Sequence, residues 1–369
     1  MSQTAAEPAP GNAPLTGLVA GIVLAVVLGI AGKLAADYIG TDLLGLSRSP
    51  ISPIMLAIVL GIIAANVIEM PEAWRAGFKF CTTRVLQLGI VLLGFRLSLT
   101  SAGTIGLQAA PLVIGCVVAA LALVSVAGRL MHLPGPLNGL IAVGTSICGC
   151  TAIVATAPLI RARDAEISYA IATITVFGLV AMFAYPWLAH WIFEGDARLA
   201  GFFLGTSVHE TAQVAGAGLI FQQQFDAPEA LDVATITKLV RNLCMVILIP
   251  LIALRFGAGD GEDRKRWYQL IPLFIIGFAL MSAIRTVGDI GPESGGPALG
   301  VIAPENWQQA TTGITSTAKW LLTVAMAAVG LTTRLSFLKD LGLKPFLLGL
   351  TAATAVGGMS LLLIHTFLG

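Results

Sequence analysis

The stretch GTSVHETAQVAGAG at 205–218 sets a histidine, a glutamate and a glutamine (His209, Glu210 and Gln213) into an otherwise apolar run. An ionisable group at membrane depth costs about 2.5–3.5 kcal/mol even on a lenient insertion scale, so by default it marks a functional position. Imidazole titrates near neutrality, and with a carboxylate beside it the pair is suited to carrying a proton. An earlier stretch, GTSICGCTAIVATA at 144–157, repeats Gly-Thr-Ser followed by Thr-Ala-x-Val-Ala. Glycine and two hydroxyl residues are poor helix material. In hydrocarbon a broken helix is tolerated only against protein or a wet cavity. The expectation is that Gly144-Thr145-Ser146 and Gly205-Thr206-Ser207 each end one half-helix and begin another. Ser and Thr would act as N-caps there. The free N–H groups of such half-helix N-termini attract anions without needing a lysine.

On this reading Thr145, Ser146, Cys148, Thr206, Ser207 and Gln213 are candidate substrate contacts, and His209 and Glu210 candidate coupling groups. Small residues such as Gly149, Ala152 and Ala215 would also suit close helix packing, but packing alone needs no polar residues. Lys238 and Arg241 in TITKLVRNL lie one helical turn apart and share a face. They are expected to supply positive potential along a path, or to pair with Glu210. Lys319, just after Thr315, Ser316 and Thr317, marks a third polar stretch and another candidate substrate contact. Arg84 and Gln87 share a face in CTTRVLQLGI.

Such residues need membrane-spanning helices to hold them, and the composition provides them. The chain has 369 residues, 56% hydrophobic and only 11% charged. Its mean hydropathy is +0.88. A soluble chain carries about 25% charged residues, so the apolar residues must face lipid as well as each other. A formal charge of +1 excludes nucleic-acid binding through a basic surface.

With roughly 20 apolar residues needed per crossing, candidate spans fall near 15–36, 51–70, 79–99, 105–131, 137–160, 167–193, 198–221, 230–255, 268–286, 307–333 and 345–368. The expected fold is an all-α polytopic membrane protein of ten or eleven spans, with one membrane domain over 15–369. Residues 1–14, without Lys or Arg, read as a disordered tail ahead of a retained first helix. The longest polar breaks are 257–266 and 286–305, the latter rich in Gly and Pro. Lys and Arg cluster at 255–266 and 334–344, with Arg75, Lys79 and Arg129 on the same side, which predicts a cytoplasmic N-terminus. The five cysteines are scattered through apolar segments as small hydrophobes, and no metal site is expected.

A second echo, VLLGFRLSL at 91–99 and VGLTTRLSFL at 329–338, ends two apolar segments that point in opposite directions, as an inverted repeat would. The two Gly-Thr-Ser segments, by contrast, run parallel if each is a full span.

GTSICGCTAIVATAPLI, GTSVHETAQVAGAG, KLVRN and GFRLS together resemble the YeiH-like family of bacterial inner-membrane proteins, which carries the label of sulfate exporter. The resemblance extends over nearly the whole chain from about residue 15. It is similar to the wider grouping of bile-acid, arsenite and auxin carriers. That implies two inverted repeats, panel and core subdomains, unwound helices crossing near the membrane midplane, and export of sulfate or a related sulfur oxyanion. The expected function is therefore a secondary active transporter of a small anion, with no cofactor beyond a coupling proton or sodium ion. The expected partners are the anion and the lipid bilayer, and a homo-oligomer is compatible with them. A sodium-coupled carrier of an organic anion is the alternative. No acidic pair, metal cluster or nucleophile–base pair argues for an enzyme.

Overall fold

The computed structural model describes residues 15–45, 49, 51–255, 272–294, 296–334 and 343–368. The expected tail at 1–14, the basic triplet Arg264-Lys265-Arg266, Lys339 and the end of the second echo at 335–338 lie outside them.

The described residues form helices in the order α1 (Leu15–Asp37), α2 (Pro53–Val67), α3 (Arg75–Phe80), α4 (Leu86–Leu93), α5 (Leu99–Leu130), α6 (Gly135–Ser146), α7 (Cys150–Thr156), α8 (Asp164–Ile192), α9 (Ala197–Ser207), α10 (Thr211–Phe225), α11 (Pro228–Leu243), α12 (Met245–Arg255), α13 (Leu273–Glu293), α14 (Pro304–Thr332) and α15 (Leu343–Phe367). No strand occurs among the described residues. Among the described residues eight helical segments are long and apolar enough to cross a membrane, and α2 is a shorter apolar helix. The remaining two expected spans are the interrupted pairs α6–α7 and α9–α10.

The chain divides into two compact units. The first comprises the described residues up to Gln87 together with Leu321–Arg334. Within it α1 packs on α2 and α3, and Asn66 Nδ2 ties α2 to the carbonyl of Thr333 at 3.0 Å. The second comprises the described residues of Leu88–Trp320 and those beyond Leu335. There α11 packs against α5, α9 and α10, while α15 packs against α5, α8 and α9.

α11 is the centre of this second unit and carries Asp232, Thr235, Thr237, Lys238, Arg241 and Asn242, all buried. A helix this polar is stable inside the protein only if its neighbours supply partners. α9 approaches it closely because Gly205 has no side chain: a Cβ there would lie 2.8 Å from the carbonyl oxygen of Ala234.

One boundary differs from expectation. α13 runs through the Gly- and Pro-containing stretch to Glu293 instead of ending near Thr286. Its last turns are held by an Arg285–Asp289 ion pair at i, i+4 and by the indole N–H of Trp307, which donates to Asp289 at 2.8 Å.

Candidate functional site

α6 has 12 residues and α9 has 11. At about 1.5 Å per residue each rises roughly 17 Å, near half of a ~30 Å hydrocarbon core. Both stop directly after their Gly-Thr-Ser triplet. The two interruptions expected from the sequence are therefore present, each after about half the length of a membrane crossing.

The triplets close the first half-helices, as expected, but do not cap the second ones, which start at Gly149 and Glu210. The groups left over at the triplets themselves are carbonyls. The hydroxyls serve their own helices: Ser146 Oγ donates to Ala142 O at 2.6 Å, Thr206 Oγ1 to Phe202 O at 2.7 Å, and Ser207 Oγ to Phe203 O at 2.5 Å. Thr206 also meets Ser360 Oγ. Ser146 and Ser207 thus spend their one hydroxyl proton locally and are not free donors. Thr145 Oγ1 is buried without a partner in the protein.

The last four carbonyls of a helix have no partner inside it, and in this interior each needs one. At the first break, Val143 O accepts from Ile147 N at 3.1 Å, and Gly144 O from Gly149 N at 3.0 Å. The rest is done by α11. Arg241 Nε donates to Ser146 O at 2.9 Å and its Nη2 to Thr145 O. Its Nη1 crosses to the second break, donating to Thr206 O at 2.8 Å and Val208 O at 3.0 Å. Lys238 Nζ donates to Ile147 O and Val208 O, both at 3.1 Å, and to His209 O. Both cations are fully buried. Seven hydrogen bonds from two adjacent turns of one helix therefore hold two helix breaks side by side. The positive charge expected to line a path is here spent on the partial negative charge of two helix C-termini, which attract cations.

The second half-helices start at Gly149 and Glu210. Gly149 has φ +72°, and a Cβ on it would lie 2.5 Å from Glu210 Cγ, so glycine is needed for both backbone and space. Glu210 is the N-cap residue of α10, and Gln213 Oε1, three residues on, accepts from Glu210 N at 3.2 Å. Cys150 Sγ donates to Glu210 Oε1 at 2.5 Å. The N-cap residue of α10 thus contacts the first residue of α7 through its carboxylate. Gln213 Nε2 is anchored on Thr175 O at 3.1 Å. His209 is 1% exposed, and neither ring nitrogen has a partner in the protein. A neutral imidazole offers one donor and one acceptor, and neither is used within the protein.

The other sequence candidates are distributed more widely. Cys148 is buried and donates to Met245 Sδ at 2.9 Å. Asn242 Nδ2 bridges α11 to α10 through Thr211 Oγ1 at 3.2 Å. Lys319, on α14, falls in the electrostatic neighbourhood of Arg96 and Asp232. Arg84 is exposed. Among the described residues no group of three or more His, Cys, Asp or Glu could hold a metal ion.

Asp232 and Cys150 are the residues that sequence reasoning passed over. Asp232 is an acid six residues before Lys238 in an apolar span, and that isolation was the available signal. It pairs with Arg96 at 3.1 Å, so the GFRLS motif serves a tertiary ion pair as well as a helix end. Nothing in the sequence tied Cys150 to Glu210.

Residues 20–349 match the family model described as "Conserved hypothetical protein 698". The chain is 31% identical over 350 residues to a UPF0324 membrane protein of Bordetella pertussis, covering 92% of this chain and 94% of the relative. It is 32% identical to the UPF0324 inner membrane protein YeiH of Escherichia coli, covering 83% and 84%. It is also 32% identical to a UPF0324 membrane protein of Bacillus cereus, covering 94% of each. With eight helical segments among the described residues long and apolar enough to cross a membrane, the chain is a multi-pass inner-membrane protein that belongs to the UPF0324, or conserved hypothetical protein 698, family of YeiH-like proteins.

Proposed function

We propose that this protein is a secondary active transporter of a small oxyanion, sulfate or a related sulfur oxyanion, working by alternating access and coupled to protons. The observation that carries this reading is the pair of helix interruptions joined through Lys238 and Arg241, with Glu210 as the N-cap residue of α10 and in contact with Cys150 at the start of α7. Broken helices at the midplane are a recurrent way to build substrate and coupling-ion sites in transporters. The resemblance to bile-acid, arsenite and auxin carriers supports the finer architecture, namely inverted repeats with panel and core subdomains.

The coupling follows from who occupies the anion position. A helix N-terminus favours negative charge, and the N-cap residue of α10 is itself an acid, Glu210, whose carboxylate accepts from Cys150 at the start of α7. An incoming oxyanion competes with it directly, and two anions cannot share the site without a large electrostatic cost. Protonation of Glu210 removes the competitor, so anion and proton enter together. His209, with both ring nitrogens unpartnered in the protein, supplies a donor to the oxyanion beside it.

The sodium-coupled alternative is disfavoured by the same geometry. Unwound carbonyls could coordinate sodium, but those of Thr145, Ser146, Ile147, Thr206, Val208 and His209 already accept from Arg241 or Lys238. These two side chains stand where a coupling cation would bind.

The test is uptake of labelled sulfate, sulfite and thiosulfate into proteoliposomes. Flux of one of them that saturates and is unchanged when choline replaces sodium is expected. Loss of flux in choline would point to the sodium-coupled reading, and linear, non-saturating flux would indicate a channel.

A further inference from the structure

Away from the breaks, the second unit contains an open cleft of about 450 Å³ whose lining includes Arg96, Ser101, Thr104, Arg198, Glu229 and Asp232. Four elements meet there at their ends. Arg96 closes one span, Ser98 caps the start of α5, Arg198 lies in the first turn of α9, and Glu229 in the first turn of α11. Those ends place it at the aqueous side of the helices. Along α11, Asp232 lies six residues from Lys238, a rise of about 9 Å.

The cleft is arranged in two tiers. On its floor Arg96 pairs with Asp232 at 3.1 Å, and the two side chains are only 11% and 9% exposed. At its rim Arg198 pairs with Glu229 at 3.0 Å, both far more exposed. The guanidiniums are not saturated. Arg96 makes two further contacts of 3.4 Å, to Gln222 Oε1 and Pro228 O. Arg198 makes one strong one to Gln108 Oε1 at 2.7 Å. Each guanidinium has five N–H donors in a planar fork that suits an oxyanion.

Charge balance decides what this cleft takes. Two cations and two carboxylates face it, a sum of zero. An inorganic anion drawn to Arg96 would have to displace Asp232 and leave a buried carboxylate unpaired, the costly outcome for a buried ion pair. A ligand carrying both signs exchanges partners instead: its oxyanion goes to the guanidinium, and its ammonium to the released carboxylate. We propose that the Arg96–Arg198–Glu229–Asp232 cleft is a binding site for a small zwitterion, with an ammonium and a carboxylate or sulfonate a few carbons apart. The oxyanion end is held between Arg96 and Arg198, and the ammonium takes Asp232, the carboxylate that Arg96 releases. The Ser101 and Thr104 hydroxyls, one turn apart on α5, line the same space. A cavity of this size holds a ligand of amino-acid dimensions with some water.

The site stands independently of the transport reading, because it is read as equilibrium binding to the purified full-length protein. Isothermal titration would compare taurine and β-alanine with isethionate and propionate, which keep the oxyanion and lack the ammonium, and with sulfate. Taurine or β-alanine is expected to bind at least tenfold more tightly than its ammonium-free analogue. Arg96→Gln and Arg198→Gln are each expected to weaken that binding at least tenfold. Arg198 is at the exposed rim, so its variant is expected to keep the wild-type melting temperature and carries the test if Arg96→Gln folds poorly. Asp232→Asn should narrow the preference for the zwitterion. Isethionate or sulfate binding as tightly as taurine, absence of binding by both zwitterions, or binding indifferent to Arg198→Gln would overturn the proposal.

Discussion

Replacing Arg241 by Met removes the group that joins the two helix breaks while keeping a side chain of comparable length. Four carbonyls lose a charged donor: Thr145, Ser146, Thr206 and Val208. Hydrogen bonds to charged groups contribute about 1.5–3 kcal/mol each, so four set a ceiling of roughly 6–12 kcal/mol. Part is recovered, since Val208 O keeps Lys238 and removing the cation also removes its desolvation cost. A net loss of about 3–5 kcal/mol is the expected scale for disrupting a buried charged network. With about 2 °C lost per kcal/mol for a large chain, the melting temperature should fall by roughly 6–10 °C. A thiol-reactive dye provides the assay: Cys81, Cys116 and Cys148 are free and buried, and become reactive on unfolding. Arg241→Lys should lose about half as much, because a single ammonium keeps the charge but cannot span both breaks as the planar fork does. An Arg241→Met protein that melts within about 1 °C of wild type and transports normally would refute the reasoning.

Further outcomes follow from the same contacts. The Ser146→Ala/Ser207→Ala double variant should retain ligand-induced thermal stabilisation, because both hydroxyls donate to their own helices; its loss would restore them as substrate contacts. Gly149→Ala should abolish flux, since the new Cβ meets Glu210 and the backbone has φ +72°; normal flux would show that this end of α7 is not held as described. Brief alkylation of folded protein followed by mass spectrometry should label the partly exposed Cys150 and Cys244 before the buried Cys81, Cys116 and Cys148. The reverse order would contradict the packing around Glu210.

The helical layout was legible from the sequence because apolar length and Gly-Thr-Ser composition are local properties. So was the presence of both interruptions. The direction in which the triplet hydroxyls bond was not. A Ser or Thr beside a break can bond forward as an N-cap or back to the carbonyl four residues earlier, and the triplet alone does not say which. The choice rests on Arg241, which reaches Ser146 across 95 positions of sequence. Lys238 and Arg241 were visible as buried cations, but their task was not, because the carbonyls they satisfy belong to other segments. The Arg96–Asp232 pair, 136 positions apart, was hidden for the same reason. α13 outran its expected end because Trp307 and Arg285 both hold Asp289, and only the former contact is non-local.

Proton movement driven by the anion gradient bears most directly on the role given to Glu210. Proteoliposomes containing a pH-sensitive dye, free of sodium, would receive an inward gradient of the transported oxyanion. Wild-type protein should acidify the lumen as anion enters, and Glu210→Gln should carry the anion without moving protons. Anion uptake by wild-type protein with no change in lumenal pH, or equal acidification by Glu210→Gln, would contradict the account.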